Sequence, residues 1–377
     1  MKWHQFLAGL PLASAVPRID ESLQQRDANS LIVKQAPQHA RPYVLRKGDG
    51  QAVVVGSQVY RFSVTGNSSA GAFTLMQTNS ESSTALGVLP HIHKAHYENF
   101  YCTKGRIQLW AQTNSTGHQG RLLTAGDYGA VPHNTIHTFQ VLDPDTQITG
   151  VIQPGGFEEL FIAISNDEFS SSTGSEFVPG ASDDSSAGSD ADTISALEGF
   201  DVYAQLDFVP RRDFVNGTAG GSANWHNGSN SLASDPTSPN FIAKNYGPKY
   251  LNNLGGGYQL VAPLTSDKQT AGNFSMGTAT LSPILANMTA PSLDLSQPVA
   301  FQMEEGSLEV KVSGHDAVTL IQGDVIFVPA KTRFAFHATA SFTKFLYVSG
   351  GSNGFSEELL SGAQDWNSTT YPISFGY

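Results

Sequence analysis

The chain is 377 residues long, more than one hydrophobic core usually supports, so two domains are expected. Charged residues make up only 14%, against roughly 25% in an average soluble protein, and Gly, Ser, Thr and Asn take their place. A formal net charge of −12 argues against nucleic acid or an anionic membrane as partner, and it selects no substrate.

The N-terminus carries Lys2, an apolar run from Phe6 to Leu12, and the small residues Ala13, Ser14 and Ala15. This pattern reads as a secretory signal over 1–15, cleaved after Ala15. Residues 16–29 are polar and patternless, an arm or propeptide. No later stretch approaches the ~18 apolar residues of a membrane span. Asn-x-Ser/Thr sequons at Asn67, Asn114, Asn216, Asn227, Asn273, Asn287 and Asn367 point the same way, to an extracellular, secreted glycoprotein. Cys102 is the only cysteine, so no internal disulfide can form. A buried, inert thiol is its plainer reading.

From 30 to 164 short β-branched and aromatic runs alternate with Gly, Asp and Asn turns. The pattern predicts strands over 30–33, 43–45, 53–55, 58–64, 73–78, 99–102, 107–111, 129–131, 138–141, 148–152 and 159–164. Regular spacing of short strands argues for a sandwich or barrel. Residues 166–192 are rich in Ser, Gly and Asp and read as a linker. One or two helical turns follow over 193–199, with Thr193 as N-cap.

The strand pattern then resumes over 201–208, 259–261, 274–281, 299–303, 308–312, 325–328, 333–337 and 344–348. This half reads as a worn copy of the first. Pro42-Tyr43-Val44-Leu45 answers to Pro248-Lys249-Tyr250-Leu251, and Tyr60-Arg61-Phe62 to Tyr258-Gln259-Leu260. Phe73 to Thr78 answers to Phe274 to Thr278, and Gly126-Asp127-x4-Pro132 to Gly323-Asp324-x4-Pro329.

One stretch of the first half carries ligand chemistry. His91 and His93 stand two apart, so in a strand both imidazoles face one side. Glu98 can join them if the chain bends between Lys94 and Tyr97, and a further nitrogen would come from His137 on a neighbouring strand. Alignment on Gly105 with Gly306, and on Pro132 with Pro329, sets Ser292, Asp294, Val299 and Phe334 opposite these four. One carboxylate of four remains there, so a metal is expected in the first half only. His96 is read as a non-ligand by alternation. His118 and His133, in or beside turns, are read as solvated, and His226, His315 and His337 fall in the half without a site. Three imidazoles and a carboxylate suit Cu, Ni, Fe, Co, Mn or Zn, and the Irving–Williams order favours one Cu(II) per chain.

His91-x-His93-x4-Glu98-x6-Gly105, followed by Gly126-x5-Pro132-x4-His137, resembles the paired motifs of the cupin superfamily. Departures are small and touch no ligand position: three residues separate Gly87 from His91 rather than five, Asn134 stands for Gly, and Val141 for Asn. The fold expected is all-β, two cupin domains of the jelly-roll β-barrel or sandwich type: 30–165 with the metal site, and 200–377 without ligands. Residues 166–199 join them. The passages LGVLPHIHKAHYENFYCTKG, QLWAQ, GDYGAVPHNTIHTFQ, DPDTQITGVIQPGGFEELF, TISALEGFDVYA and GPKYLNN resemble the fungal quercetin 2,3-dioxygenases over nearly the whole mature chain.

That resemblance implies an extracellular bicupin glycoprotein that uses copper and O2 to open the heterocyclic ring of a flavonol, giving a depside and carbon monoxide. Glu98 is then both a ligand and the base for the 3-hydroxyl. Phe100 and Phe139, at i+2 from Glu98 and His137, should face the interior. Tyr60, Met76, Thr78, Gly150, Ile152 and Phe157 resemble positions lining the flavonol cavity. Pro179 resembles a position beside the substrate, which would make the linker a lid. A homodimer is compatible with this reading. The competing readings are another bicupin metalloenzyme, of the oxalate decarboxylase or oxidase type, and a non-enzymatic storage or binding cupin.

Overall fold

Runs that alternate poorly between polar and apolar residues become strands covered on both faces. Thr74–Ser80, Phe274–Leu281 and Thr343–Gly350 are buried along their whole length. One face of each looks into a barrel, and the other packs against the opposite half of the chain. In a sheet with a solvated face, such as Gly117–Thr124, burial is intermittent. The structure, a computed structural model, describes residues 30–178, 191–221, 224–253, 256–285, 287–368 and 371. The expected signal segment and arm, and Pro179, lie outside the described residues.

Each half is a sandwich of two sheets with the same order. In the first, Gln58–Val64, Thr74–Ser80, Thr146–Gln153, Tyr97–Lys104 and Tyr128–Val131 lie side by side. In the second, Gln259–Thr265, Phe274–Leu281, Thr343–Gly350, Val299–Glu305 and Val325–Val328 repeat that order. The facing sheets repeat as well: His91–Ile92, Ile136–Val141, Arg106–Thr113 and Gly117–Thr124 correspond to Leu293–Asp294, Arg333–Ala338, Ser307–Val312 and Val318–Ile321. The fold is thus all-β and bicupin, as the motif pair implies. Gly105 and Gly306 form the left-handed tip of equivalent hairpins, with φ of 69° and 74°. A Cβ at Gly105 would run into Thr146, and one at Gly306 into Phe342.

The halves exchange edge strands. Tyr43–Leu45 pairs antiparallel with Val325–Val328 of the second half, and Asn240–Ile242 pairs with Tyr128–Val131 of the first. Both Gly-Asp turns hold the visiting chain. Asp127 Oδ2 accepts from Thr124 N and its Oδ1 from Lys244 N, at 2.7 and 2.8 Å. Asp324 Oδ2 accepts from Ile321 N and its Oδ1 from Lys47 N, both at 3.0 Å. A cation-capable side chain completes each clasp: His226 Nε2 on Asp127 at 2.7 Å and Arg46 on Asp324 at 2.6 Å.

The back-to-back sheets share one core. Tyr43, Leu45, Phe73, Leu75, Tyr97 and Tyr128 pack with Phe274, Met276, Val325, Phe327, Leu346 and Val348. The rings of Tyr43 and Phe73 meet Phe327 at 5.6 and 6.3 Å, and Tyr97 meets Phe274 at 6.0 Å. Beside this apolar seam Gln77 donates to Gln302, and Gln302 bonds Thr149, so the buried amides are satisfied across the halves. Replacement of Asp324 by Ala is expected to cost about 3 kcal/mol, because two backbone N–H groups and Arg46 lose a buried acceptor. With a shared core the two halves should still melt in one step. Calorimetry showing the second half melting separately would contradict the shared core.

Several local expectations change. Residues 158–164 form a helix, Glu158–Ile164, not a strand. Phe157, Leu160 and Phe161 sit at i, i+3 and i+4 and pack together in one cluster, a helical spacing in which the apolar run after Glu159 masks the period. The helix after the linker is Ala191–Glu198, so Thr193 lies inside it and not at its cap. The strand expected over 201–208 shrinks to Tyr203–Ala204. Pro42 to Leu45 does not answer to Pro248 to Leu251. The former visits the other half, whereas Tyr250–Asn252 pairs with Gln259–Thr265 at home, as Gln51–Val55 does with Gln58–Val64. The two segments look alike because each follows a Pro and enters a sheet; which sheet is a tertiary matter. Among the described residues no helix is long and apolar enough to cross a membrane.

Candidate metal centre

Three strands carry His91, Glu98 and His137, and His93 follows directly after the first of them. His91 begins the short strand His91–Ile92 and pairs directly with His137 on Ile136–Val141. Glu98 stands on the opposite sheet, between Val131 and Ile152. The bend foreseen between His93 and Glu98 is present, and Glu98 points inward. His91 Nε2 and His93 Nε2 lie 3.2 Å apart, His93 Nε2 is 3.3 Å from Glu98 Oε2, and His137 Nε2 is 2.8 Å from the same oxygen. One atom from each residue lies within 4.8 Å of all the others, and all four residues are buried.

The tautomers follow from the outer nitrogens. His91 Nδ1 meets Leu89 O at 2.8 Å, His93 Nδ1 meets Asp201 O at 2.8 Å, and His137 Nδ1 meets Thr135 O at 2.9 Å. A carbonyl only accepts, so each Nδ1 donates, and Nε2 is left facing inward as the nitrogen through which the ring would ligate. Three nitrogen lone pairs and a carboxylate then converge on one point. Such a convergence of acceptors is repulsive unless a cation or extra protons sit among them, and it is the donor set of a transition-metal site. Burial, then the neighbouring imidazoles of His137 and His93, hold His91 well below the ordinary imidazole value, so it is neutral and able to ligate. Burial alone would raise Glu98, but in the metal-free cluster a proton on the Nε2 of His137 or His93 would be donated to its carboxylate, which outweighs burial and holds the carboxyl well below its usual range. Burial would lower His93, yet Glu98 and the Asp201 carbonyl raise it.

The walls beside this cluster are apolar. Along the inner face, Glu98 pairs with Ile152 and Phe100 with Gly150. Gly150 pairs in turn with Met76, Ile148 with Thr78, and Thr78 with Tyr60. Tyr60, Met76, Thr78, Phe100, Gly150 and Ile152 therefore share the face of Glu98. Phe139 faces them from the other sheet, its ring 5.8 Å from Phe100 and that of Phe100 6.2 Å from His137. Phe157 lies edge-on to His93 and His96, 5.0 Å from each. Met76 packs over Gly150, where a Cβ would come within 3.1 Å of its methyl group. Phe161, Leu197 and Val202 join the same wall and have no motif to announce them; Phe161 stacks on Tyr60 at 4.1 Å.

Other expectations sort themselves by position. Cys102 is buried on the inner face but four residues, about 13 Å, along the strand from Glu98. Its Sγ donates to Gly105 O at 3.4 Å, and burial pushes the thiol up to about 12, so it is inert. His96 is turned to Asp201, not to the four ligands. His118 and His133 are half-buried, not solvated: their rings lie 4.6 Å from Phe208 and 3.9 Å from Tyr97. His226 belongs to the first half's rim through Asp127. All seven sequon asparagines are exposed.

The second barrel carries no trace of the ligands. His91 pairs with His137, and in the copy Leu293 pairs with Phe334. Asn134 N donates to His93 O, and in the copy Lys331 N donates to Leu295 O. The equivalents of His91 and His93 are therefore Leu293 and Leu295, not Ser292 and Asp294, which are exposed. The loop before Val299 is one residue shorter than its counterpart, and a slip of one residue in a strand turns every side chain to the other face. No carboxylate remains; Leu293, Leu295, Val299 and Phe334 join a core of Phe301, Phe336 and Phe355.

Fold and cluster together define a bicupin in which one barrel carries a candidate metal-binding cluster and the other is filled by apolar side chains. No protein-family model matches the chain. It is 48% identical over 352 residues to the quercetin 2,3-dioxygenase of Aspergillus japonicus, covering 93% of this chain and all of that one. It is 32% identical over 143 residues to the quercetin 2,3-dioxygenase of Bacillus subtilis (strain 168), covering 38% of this chain and 40% of that one. Among solved structures, the oxalate decarboxylase formate complex of Lactobacillus farciminis is similar in fold, with a TM-score of 0.50 and 14% identity over 84% of this chain and 88% of that one. The chain belongs to the quercetin 2,3-dioxygenase family, and so to the oxidoreductases.

Proposed function

We propose that this protein is a secreted, copper-dependent dioxygenase that opens the heterocyclic ring of flavonols such as quercetin with O2, giving a depside and carbon monoxide. The observation that carries the reading is the buried convergence of His91, His93, Glu98 and His137 beside a wall of flat and apolar side chains, in a chain of this family. Family membership supports the flavonol. Phe100, Phe139, Phe157, Tyr60 and Met76 suit a planar aromatic better than a small dicarboxylate, which disfavours an oxalate enzyme.

Copper is proposed from the donor set, since three imidazoles with one carboxylate favour Cu(II) among divalent ions. When bound, the ion supplies Lewis acidity toward the flavonol oxygens. Glu98 is the proposed base: it is ionised, buried and beside the reacting centre, so it can take the 3-hydroxyl proton and leave an electron-rich flavonolate. Phe100, Phe139 and Phe157, with Tyr60, Met76, Thr78, Gly150 and Ile152, are proposed to hold the ring system and keep bulk water out. Secretion is proposed from the Lys2 to Ala15 pattern and from seven exposed sequons.

The test is direct. Copper-loaded protein is expected to abolish the flavonol absorbance band of quercetin with matching O2 uptake and release of one CO per flavonol. No loss of absorbance with a copper-replete sample would sink the reading.

A further inference from the structure

His91 and His137 each find a carbonyl two residues earlier in their own loops, at Leu89 and Thr135. His93 does not. Its Nδ1 donates to the carbonyl of Asp201, 108 positions along the chain. The same residue's carboxylate is the focus of the loop joining His93 to Glu98. Its Oδ1 accepts from Lys94 N at 2.9 Å. Its Oδ2 accepts from Ala95 N at 2.8 Å, His96 N at 3.1 Å and the His96 ring at 2.7 Å. Three successive backbone N–H groups turned onto one anion form a nest, and this nest is the bend that lets Glu98 face the histidines.

We propose that Asp201 is a positioning residue of the metal centre, holding His93 by its carbonyl and the 94–96 bend by its carboxylate, and so fixing the separation of His93 from Glu98. The proposal rests on the metal-dependent reading of the four-residue cluster. Asp201 is itself locked in place: its φ is 65°, and the strand Tyr203–Ala204 that follows pairs with His91–Ile92. Gln205 N adds a bond to Pro90 O at 2.7 Å. The segment after the linker therefore buttresses all of the chain from Pro90 to His96. The second barrel, where Leu295 replaces His93 and needs no orienting, has a loop one residue shorter.

The left-handed φ makes the two functions separable. Asp201→Gly suits that backbone, so it keeps the carbonyl on His93 while removing the carboxylate. Asp201→Asn also tolerates the conformation but turns an NH2 toward donors. Because the 94–95 N–H groups lie at the surface, water can satisfy them, and both variants are expected to fold.

Cu(II) affinity is read by competition with a chelator, alongside the Cu(II) EPR spectrum and the melting of the metal-free protein. Asp201→Gly is expected to bind Cu(II) about 10–100-fold more weakly, with altered hyperfine splitting and a metal-free melting temperature close to the parent's. A merely structural role would lower that melting temperature and leave the spectrum of the folded fraction unchanged. Parent-like affinity and spectrum in both variants overturn the proposal. A parent protein that binds Cu(II) but leaves quercetin intact refutes the dioxygenase and leaves this comparison standing. A parent that binds no transition metal overturns the site and the role of Asp201 together.

Discussion

Glu98→Gln is expected to fold, to retain the three imidazoles and to lose turnover by about 10²- to 10⁴-fold in kcat. The amide has nearly the shape of the carboxylate, so the inner face between Val131 and Ile152 need not rearrange. What changes is chemistry: an amide cannot take a proton from a hydroxyl, and its NH2 would meet His137 and His93 where an anion now sits. Metal content must be measured beside kcat, since Glu98 is also proposed as a ligand. A variant that holds metal but does not deprotonate flavonol isolates the base role, visible as loss of the flavonolate absorbance on binding. Near-parental kcat would show that another group removes the proton.

His137→Phe is expected to abolish metal binding and turnover while leaving the barrel folded. The protein itself carries the precedent, because Phe334 occupies the equivalent place in a barrel of the same strand order. Loss of one of three nitrogens should exceed the about 10–100-fold affinity loss typical of an outer partner. Melting provides a readout independent of activity. A ligand that binds only the folded state at about 100 times its Kd adds about 2.7 kcal/mol. The parent should therefore melt lower after chelation, and His137→Phe should melt identically with and without chelator. The quadruple change His91→Leu, His93→Leu, Glu98→Val and His137→Phe copies the second barrel and should behave the same way. A chelator-sensitive melt in either would place the stabilising metal elsewhere.

The four candidate ligands were legible because their spacing is local. His91 and His93 stand two apart, a spacing that sets both imidazoles on one side even though the strand ends at Ile92, and Pro132 fixes the distance to His137. The gap to Glu98 was legible as a requirement for a bend, but not as a mechanism for making one. The comparison of halves failed where loop length enters: counting back from Gly306 set Ser292 and Asp294 opposite the histidines, and one missing loop residue moved the true equivalents to Leu293 and Leu295. Glu158–Ile164 failed for a related reason, since a short apolar run such as Leu160 to Ile164 fits a strand or a helix until its partners are known.

By itself the sequence determined the all-β duplication, the asymmetry between a ligand-bearing and a ligand-free half, and the residue types at the metal. These are written in period, turn chemistry and spacing, which act over a few residues. Only the tertiary structure decided that the halves trade edge strands, that Asp127 and Asp324 clasp the visitors, and that Asp201 orients His93. Each of these depends on a backbone amide or carbonyl brought in from far along the chain. Every residue carries such groups, so no residue type announces which one will be used.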